Sequence, residues 1–203
     1  YLLTTTIEEK SNRIMEVLLS AVTPMQLMVG KILGQMAVSL LILIVYAGLG
    51  AGALGRFKII DLLERQNVGL LVVYFLIAFF LIASLMAAIG SAVQEVHEAQ
   101  SLVGPIMMVL IIPMLFMPAI INNPNGSLAT TLSFIPPISP FVMVLRLPAA
   151  QAIPTWQIVG SIGVGLVSVV VAAWAAAKIF RIGVLMYGKP PNISTLIKWI
   201  RMA

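Results

Sequence analysis

His97-Glu98 opens like the paired metal ligand and base of a zinc hydrolase, in which a second histidine completes the ligand set. The chain has one histidine, so that chemistry is out of reach. Gly183-Val184-Leu185-Met186-Tyr187-Gly188-Lys189 has the outline of a phosphate-binding loop. It fails where Pro190 takes the place of the Ser or Thr that would hold magnesium, and no strand precedes it. No Ser-His-Asp set is assembled by a motif, and the absence of Cys excludes a disulfide scaffold and thiolate-bound zinc. The expectation is no catalytic residue, no metal and no cofactor held by this chain. His97 reads as a solvated loop residue.

The elements around these residues explain the lack of chemistry. Charged residues are 9% of the chain, against about 25% in a soluble domain. Too few charges are present to cover a surface facing water. Four charge-free blocks, 32–55, 66–94, 99–145 and 147–177, are 24, 29, 47 and 31 residues long. A helix needs about 20 apolar residues to cross a bilayer, so each block can span. A transmembrane barrel would alternate apolar and polar positions, whereas 70–83 is almost continuously apolar. The net charge of +5 comes with no basic run and reads as juxtamembrane Lys and Arg, not as a nucleic-acid surface. No acidic residue falls within the expected spans, which removes the usual mark of an ion-coupled carrier.

The fold class is thus an all-α membrane protein, a polytopic helical bundle. Residues 1–7 read as the end of a preceding transmembrane helix, which makes the chain the C-terminal part of a longer protein. Residues 8–31 read as an elbow. Ile14, Met15, Leu18, Leu19 and Val22 recur at helical spacing opposite Asn12, Glu16 and Ser20. Thr23-Pro24-Met25-Gln26 then starts a second helix with a capping box. The transmembrane domain covers 32–177, with spans at about 31–54, 68–93, 101–121 and 153–177. A charged loop at 56–67 and a polar turn at 94–100 join the first three. Pro105, Pro113 and Pro118 should interrupt the third. Gly48, Gly50 and Gly52 suit close helix packing, within the chain or against a second copy. Phe134-Ile135-Pro136-Pro137-Ile138-Ser139-Pro140 is apolar yet cannot be regular helix, so 128–147 reads as a re-entrant extracytoplasmic hairpin. Trp156 and Trp174 suit interface anchors, and Arg146 reads as a residue snorkelling to the outer interface. A basic tail, 178–203, carries a short amphipathic helix capped by Asn192.

Orientation follows from Lys and Arg. With four spans, the elbow and tail share a side that holds Lys10, Arg13, Lys31, Lys178, Arg181, Lys189, Lys198 and Arg201. The other side holds only Arg56, Lys58, Arg65 and Arg146. The elbow, the 94–100 turn and the tail are therefore expected in the cytoplasm.

Glu8-Glu9-Lys10-Ser11-Asn12-Arg13-Ile14-Met15-Glu16-Val17-Leu18-Leu19, with Thr23-Pro24 and Gly30-Lys31-Ile32-Leu33-Gly34, closely resembles the cytoplasmic segment of type-2 ATP-binding-cassette exporter permeases. Glu98-Ala99-Gln100-Ser101, the 135–140 proline run, Arg146-Leu147-Pro148 and Gly183-Val184-Leu185 follow in the family's order. The resemblance is nearest to the Nat-type sodium-efflux branch and covers essentially the whole chain. It implies a dimer of permeases, each joined to an ABC ATPase subunit that binds the ATP and Mg, in a prokaryotic cytoplasmic membrane. It also implies six spans with a large extracytoplasmic domain between the first two, of which this chain lacks the first span and the domain. Efflux of sodium or of a small molecule is the implied activity.

In that setting Glu8, Glu9, Arg13 and Glu16 can pair with charges on the ATPase, while Met15 and Leu19 fill an apolar groove on it. Glu95 and Glu98 offer a second cytoplasmic contact, and Pro136, Pro137 and Pro140 an outer gate. A helix that merely lies on lipid is usually rich in Lys and Arg, whereas the amphipathic stretch 8–22 of this elbow has three Glu against two basic residues. The alternative is a membrane scaffold or assembly protein that keeps the fold without transport.

Overall fold

The computed structural model describes residues 1–56, 65–148, 152–186 and 193–202. Among these every regular element is a helix: α1 (Leu2–Ser11), α2 (Ile14–Ala21), α3 (Pro24–Arg56), α4 (Arg65–Ala92), α5 (Val96–Leu115), α6 (Met117–Asn122), α7 (Ser127–Leu132), α8 (Ser139–Arg146), α9 (Thr155–Gly183) and α10 (Ile193–Met202). The interior of the expected 56–67 loop, the 187–190 part of the glycine-lysine stretch and the Asn192 cap lie outside the described residues.

Among the described residues, four stretches are long and apolar enough to cross a membrane: Pro24–Leu49, Val68–Ala92, Val96–Asn122 and Thr155–Gly183. Each overlaps one of the four stretches that the sequence suggests as spans, with different ends. The first begins at Pro24 and not near 31, because the capping box starts the helix there. Thr23 N–H donates to Gln26 Oε1 at 3.0 Å, and Gln26 N–H to Thr23 Oγ1 at 3.3 Å. The last runs on past 177 to Gly183, since Lys178 and Arg181 can lay their stems along a helix end and keep their heads polar. Pro105 and Pro113 are carried inside α5, and the break comes at Phe116, after which Pro118 sits in the first turn of α6. Large apolar side chains stay exposed along the spans, Ile44 at 70% and Val170 at 67% among them. That pattern suits hydrocarbon, where helices associate by close packing without a hydrophobic drive.

The chain divides into two compact units, Tyr1–Leu33 with Phe80–Ile111 and Val167–Ala203, and Gly34–Phe79 with Ile112–Leu166. In the first, Leu2, Thr6, Ile7 and Lys10 form the buried face of α1. Ile7 joins Ile89, Val93, Ala99 and Leu102 in a core flanked by Leu3, Met86, Val103, Ile106 and Leu196. Backbones approach closely here: a Cβ on Gly183 would stand 2.9 Å from the Ser91 carbonyl oxygen.

In the second unit, α6, α7 and α8 pack on one another around Ile120, Ala129 and Val142. Residues 133–138 turn between α7 and α8, and Pro140 lies in the first turn of α8. Phe134 stacks on Trp156 at 6.0 Å between ring centroids. Tyr74 is fully buried and its hydroxyl lies 2.6 Å from Ser161 Oγ.

Candidate functional site

The elbow differs from the sequence expectation in its first turn. The amphipathic pattern suggests one helix across the polar stretch after Glu8. Instead α1 ends at Ser11 and α2 begins at Ile14, with Arg13 in the left-handed region at φ 58°. Asn12 before it competes for backbone groups and so favours a stop. A non-glycine residue in this region is held against a steric cost of about 1 kcal/mol, and it turns α2 away from the axis of α1.

The α1 side of the elbow is fastened to three spans. Lys31 on α3 pairs with Glu9 at 2.5 Å, both side chains largely buried. The Lys10 ammonium donates to the carbonyl oxygens of Ser91 at 2.7 Å and Gly183 at 2.6 Å, at the ends of α4 and α9. Lys10 is fully buried, and burial lowers its pKa from 10.5 to about 8, with the Glu98 carboxylate partly opposing the shift. Glu98 Oε2 also accepts from the N–H groups of Gln94 at 3.0 Å and Glu95 at 3.4 Å, closing the N-terminus of α5.

A cavity of about 440 Å³ is lined by Ser11, Arg13, Glu16, Gln94 and Glu95. The structure thus brings Arg13, Glu16 and Glu95 together. Glu8 is exposed but does not line the cavity, and Leu19 is half-buried. Glu95 lies 3.5 Å from His97, both exposed. One expectation here needs correction. Met15 is 0% exposed, so it is part of the protein's own interior and cannot enter a groove on a partner. Ile14 and Val17 are the exposed apolar residues of α2 instead, Val17 at 70%. Glu9 pairs with Lys31, and Glu98 caps α5 through one carboxylate oxygen.

Of the expected gate residues, Pro136 is exposed, Pro137 half-buried and Pro140 buried at the start of α8. Arg146, expected to reach water at the interface, is fully buried. Neither buried cation is foreseen from residue type, although the sequence holds a signal for both. Lys10 follows Leu2 and Thr6 at four-residue steps, and Arg146 follows Ser139, Val142 and Met143 on one helical face.

The sequence model of the ABC-2 family transporter protein matches residues 1–178. The chain belongs to the ABC-2 transporter family. With four apolar helices of spanning length, it is an integral, multi-pass membrane protein. This ABC-2 chain is similar to the uncharacterized protein MJ1024 of Methanocaldococcus jannaschii, 35% identical over 96% of the chain and 47% of the relative. It is also similar to the uncharacterized protein YhaP of Bacillus subtilis, 31% identical over 96% of the chain and 49% of the relative. The chain therefore spans about half the length of these relatives. No solved structure matches it significantly.

Proposed function

We propose that this chain is the membrane-spanning permease part of an ATP-driven exporter of the Nat-type branch. A separate ABC ATPase, which carries the ATP and Mg, docks on α2 and on the turn before α5. Two permeases pair, and the substrate, sodium or a small molecule, leaves between them. The elbow, the 94–100 turn and the tail face the cytoplasm of a prokaryotic cell. The 128–147 segment forms a re-entrant element at the outer mouth, with Pro136, Pro137 and Pro140 shaping its gate.

The observation that carries this reading is the triple attachment of α1. A push on α2 passes through the Arg13 turn to α1. From there it reaches α3 through Glu9–Lys31, and α4 and α9 through Lys10. These are buried, charge-assisted contacts, which are stronger than neutral ones and hold their geometry. An elbow that merely rested on lipid would have no use for ties to three spans. Arg13, Glu16 and Glu95 around the cavity supply charges that a partner can match, and such charges steer association.

The test is pull-down of the ABC ATPase with the full-length protein from native membranes, followed by ATP-driven sodium efflux from the reconstituted pair. Wild type should retain the ATPase and export on ATP addition. Glu16→Lys should insert normally and lose ATPase association. A wild-type protein that recovers no ATPase and supports no ATP-driven efflux would be a scaffold, and the proposal would fall.

A further inference from the structure

We propose that the buried Arg146 cluster is a binding site for an oxyanion, a carboxylate or phosphate group, at the interfacial depth of the membrane. The inference rests on the membrane placement and not on ATPase docking, so either can fail without the other.

Arg146 is 0% exposed. Its Nη1 donates to Ser133 Oγ at 2.7 Å and Met143 Sδ at 3.6 Å. Its Nη2 donates to Gln157 Oε1 at 2.5 Å and, more weakly, to Asn125 Oδ1 at 3.4 Å. Its Nε–H is buried and has no acceptor among the described residues. Every one of these partners among the described residues is neutral. A guanidinium stripped of water is sustained by an opposite charge, and neutral acceptors return only part of what desolvation takes. Its planar fork is also matched to two oxygens at once.

The surroundings hold the fork in place. Ser133 Oγ donates to Ala129 O at 2.8 Å, which leaves its lone pairs to the guanidinium, and Ser139 Oγ ties to Ser133 O at 2.6 Å. Gln157 is nearly buried. Asn125 is exposed and holds the longest of the guanidinium's oxygen contacts, with its amide nitrogen on Ala152 O at 3.1 Å. It is the side from which an anion can displace a partner without disturbing the rest. Depth favours an anion as well. Trp156, next to Gln157, is 63% exposed, and tryptophan settles at the level where lipid phosphates lie.

The test uses the full-length protein, purified and delipidated in dodecyl maltoside, a detergent without phosphate. Its melting temperature is followed against inorganic phosphate, benzoate and phosphatidylglycerol, with diacylglycerol as the lipid lacking the anion. At least one oxyanion should raise the wild-type melting temperature by about 3 °C or more, and diacylglycerol should not. Arg146→Gln should raise the half-maximal concentration at least about tenfold, the factor expected from losing a charge-assisted contact. Gln157→Glu places a carboxylate against Nη2. It should melt higher than wild type without additions and lose the response, which decides the matter even if Arg146→Gln does not fold. A response to phosphatidylglycerol alone assigns a lipid headgroup, and a response to phosphate or benzoate assigns a soluble anion. If no oxyanion shifts the wild type, or if Gln157→Glu responds as the wild type does, Arg146 is only an internal brace and the site is overturned.

Discussion

The Lys10 ammonium donates to the Gly183 carbonyl at 2.6 Å while also holding the Ser91 carbonyl, so one side chain from α1 joins the ends of α4 and α9. Replacing it with Met keeps the length and removes the link. The loss of two buried hydrogen bonds opposes the relief of no longer burying a charge, so stability should change by no more than about 2 kcal/mol. ATPase association should persist in Lys10→Met, since Lys10 is not on the proposed docking surface. ATP-driven efflux should fall at least about tenfold, as measured in proteoliposomes. Efflux at the wild-type rate would show that the α1 link carries no motion.

The same lysine sets a pH dependence. Its folded pKa of about 8 lies below the unfolded value of 10.5 because burial penalises the ammonium. Between those values the unfolded chain holds the proton more often than the folded one, so stability rises with pH. Below pH 8 both states are protonated and the penalty is constant. Above 10.5 the penalty is gone. The difference in melting temperature between wild type and Lys10→Met should therefore shift in favour of wild type between pH 8 and 10.5. A flat difference would mean that the ammonium is not desolvated.

Gly183 also allows the close approach that the lysine bridges. A Cβ there would meet Ser91 O at 2.9 Å and Ser91 C at 3.0 Å, both backbone atoms that cannot rotate aside. Gly183→Ala should destabilise by about 1–3 kcal/mol, the usual cost of overpacking. At Gly163 a Cβ would meet no described atom within 4 Å, so Gly163→Ala should be close to neutral. Thermal unfolding of the two variants side by side checks the contrast.

The spans are legible in the sequence because hydrocarbon imposes a coarse rule, length and lack of charge, that a sequence displays directly. The Thr23–Gln26 capping box is legible for a similar reason: its partners lie three residues apart. What stays hidden depends on which face of a helix turns inward. Met15, Glu16 and Leu19 share one amphipathic pattern, and only packing shows that Met15 is interior while Glu16 is exposed. Residue type alone assigns Lys10 and Arg146 to water, although both sit in register with buried neighbours. Their acceptors are backbone carbonyls in one case and neutral side chains in the other, and neither class leaves a mark in the sequence. The left-handed turn at Arg13 falls where no glycine announces it.

Met15 and Glu16 are adjacent but should respond in opposite ways. Met15→Asp puts a charge into a fully buried site and should cost about 3 kcal/mol or more, so little protein should reach the membrane. Glu16→Lys changes an exposed position and should leave membrane levels intact while abolishing ATPase recovery. Lys198→Glu, an exposed change on α10, should alter neither. Quantified membrane yield and ATPase pull-down separate the three. If Glu16→Lys keeps the ATPase, the cavity beside it is not the docking surface.

Topology decides whether the elbow can meet a cytoplasmic partner at all. In the proposed topology, four spans put the turn after α6 and the tail helix on opposite sides of the membrane, with the tail inside as the Lys and Arg distribution favours. Residues 1–203 hold no native cysteine, so within them a single introduced cysteine is the one thiol that can be labelled, and the parent protein serves as the background control. Asn123 and Ser194 are both exposed, which makes either thiol reachable from its own side. In sealed cells, an impermeant maleimide added outside should label Asn123→Cys and spare Ser194→Cys until the membrane is opened. Labelling of both from outside would break the even span count. Labelling of Ser194→Cys alone would invert the protein, placing the Arg13–Glu16–Glu95 cavity away from ATP and removing the physical basis for coupling through the elbow.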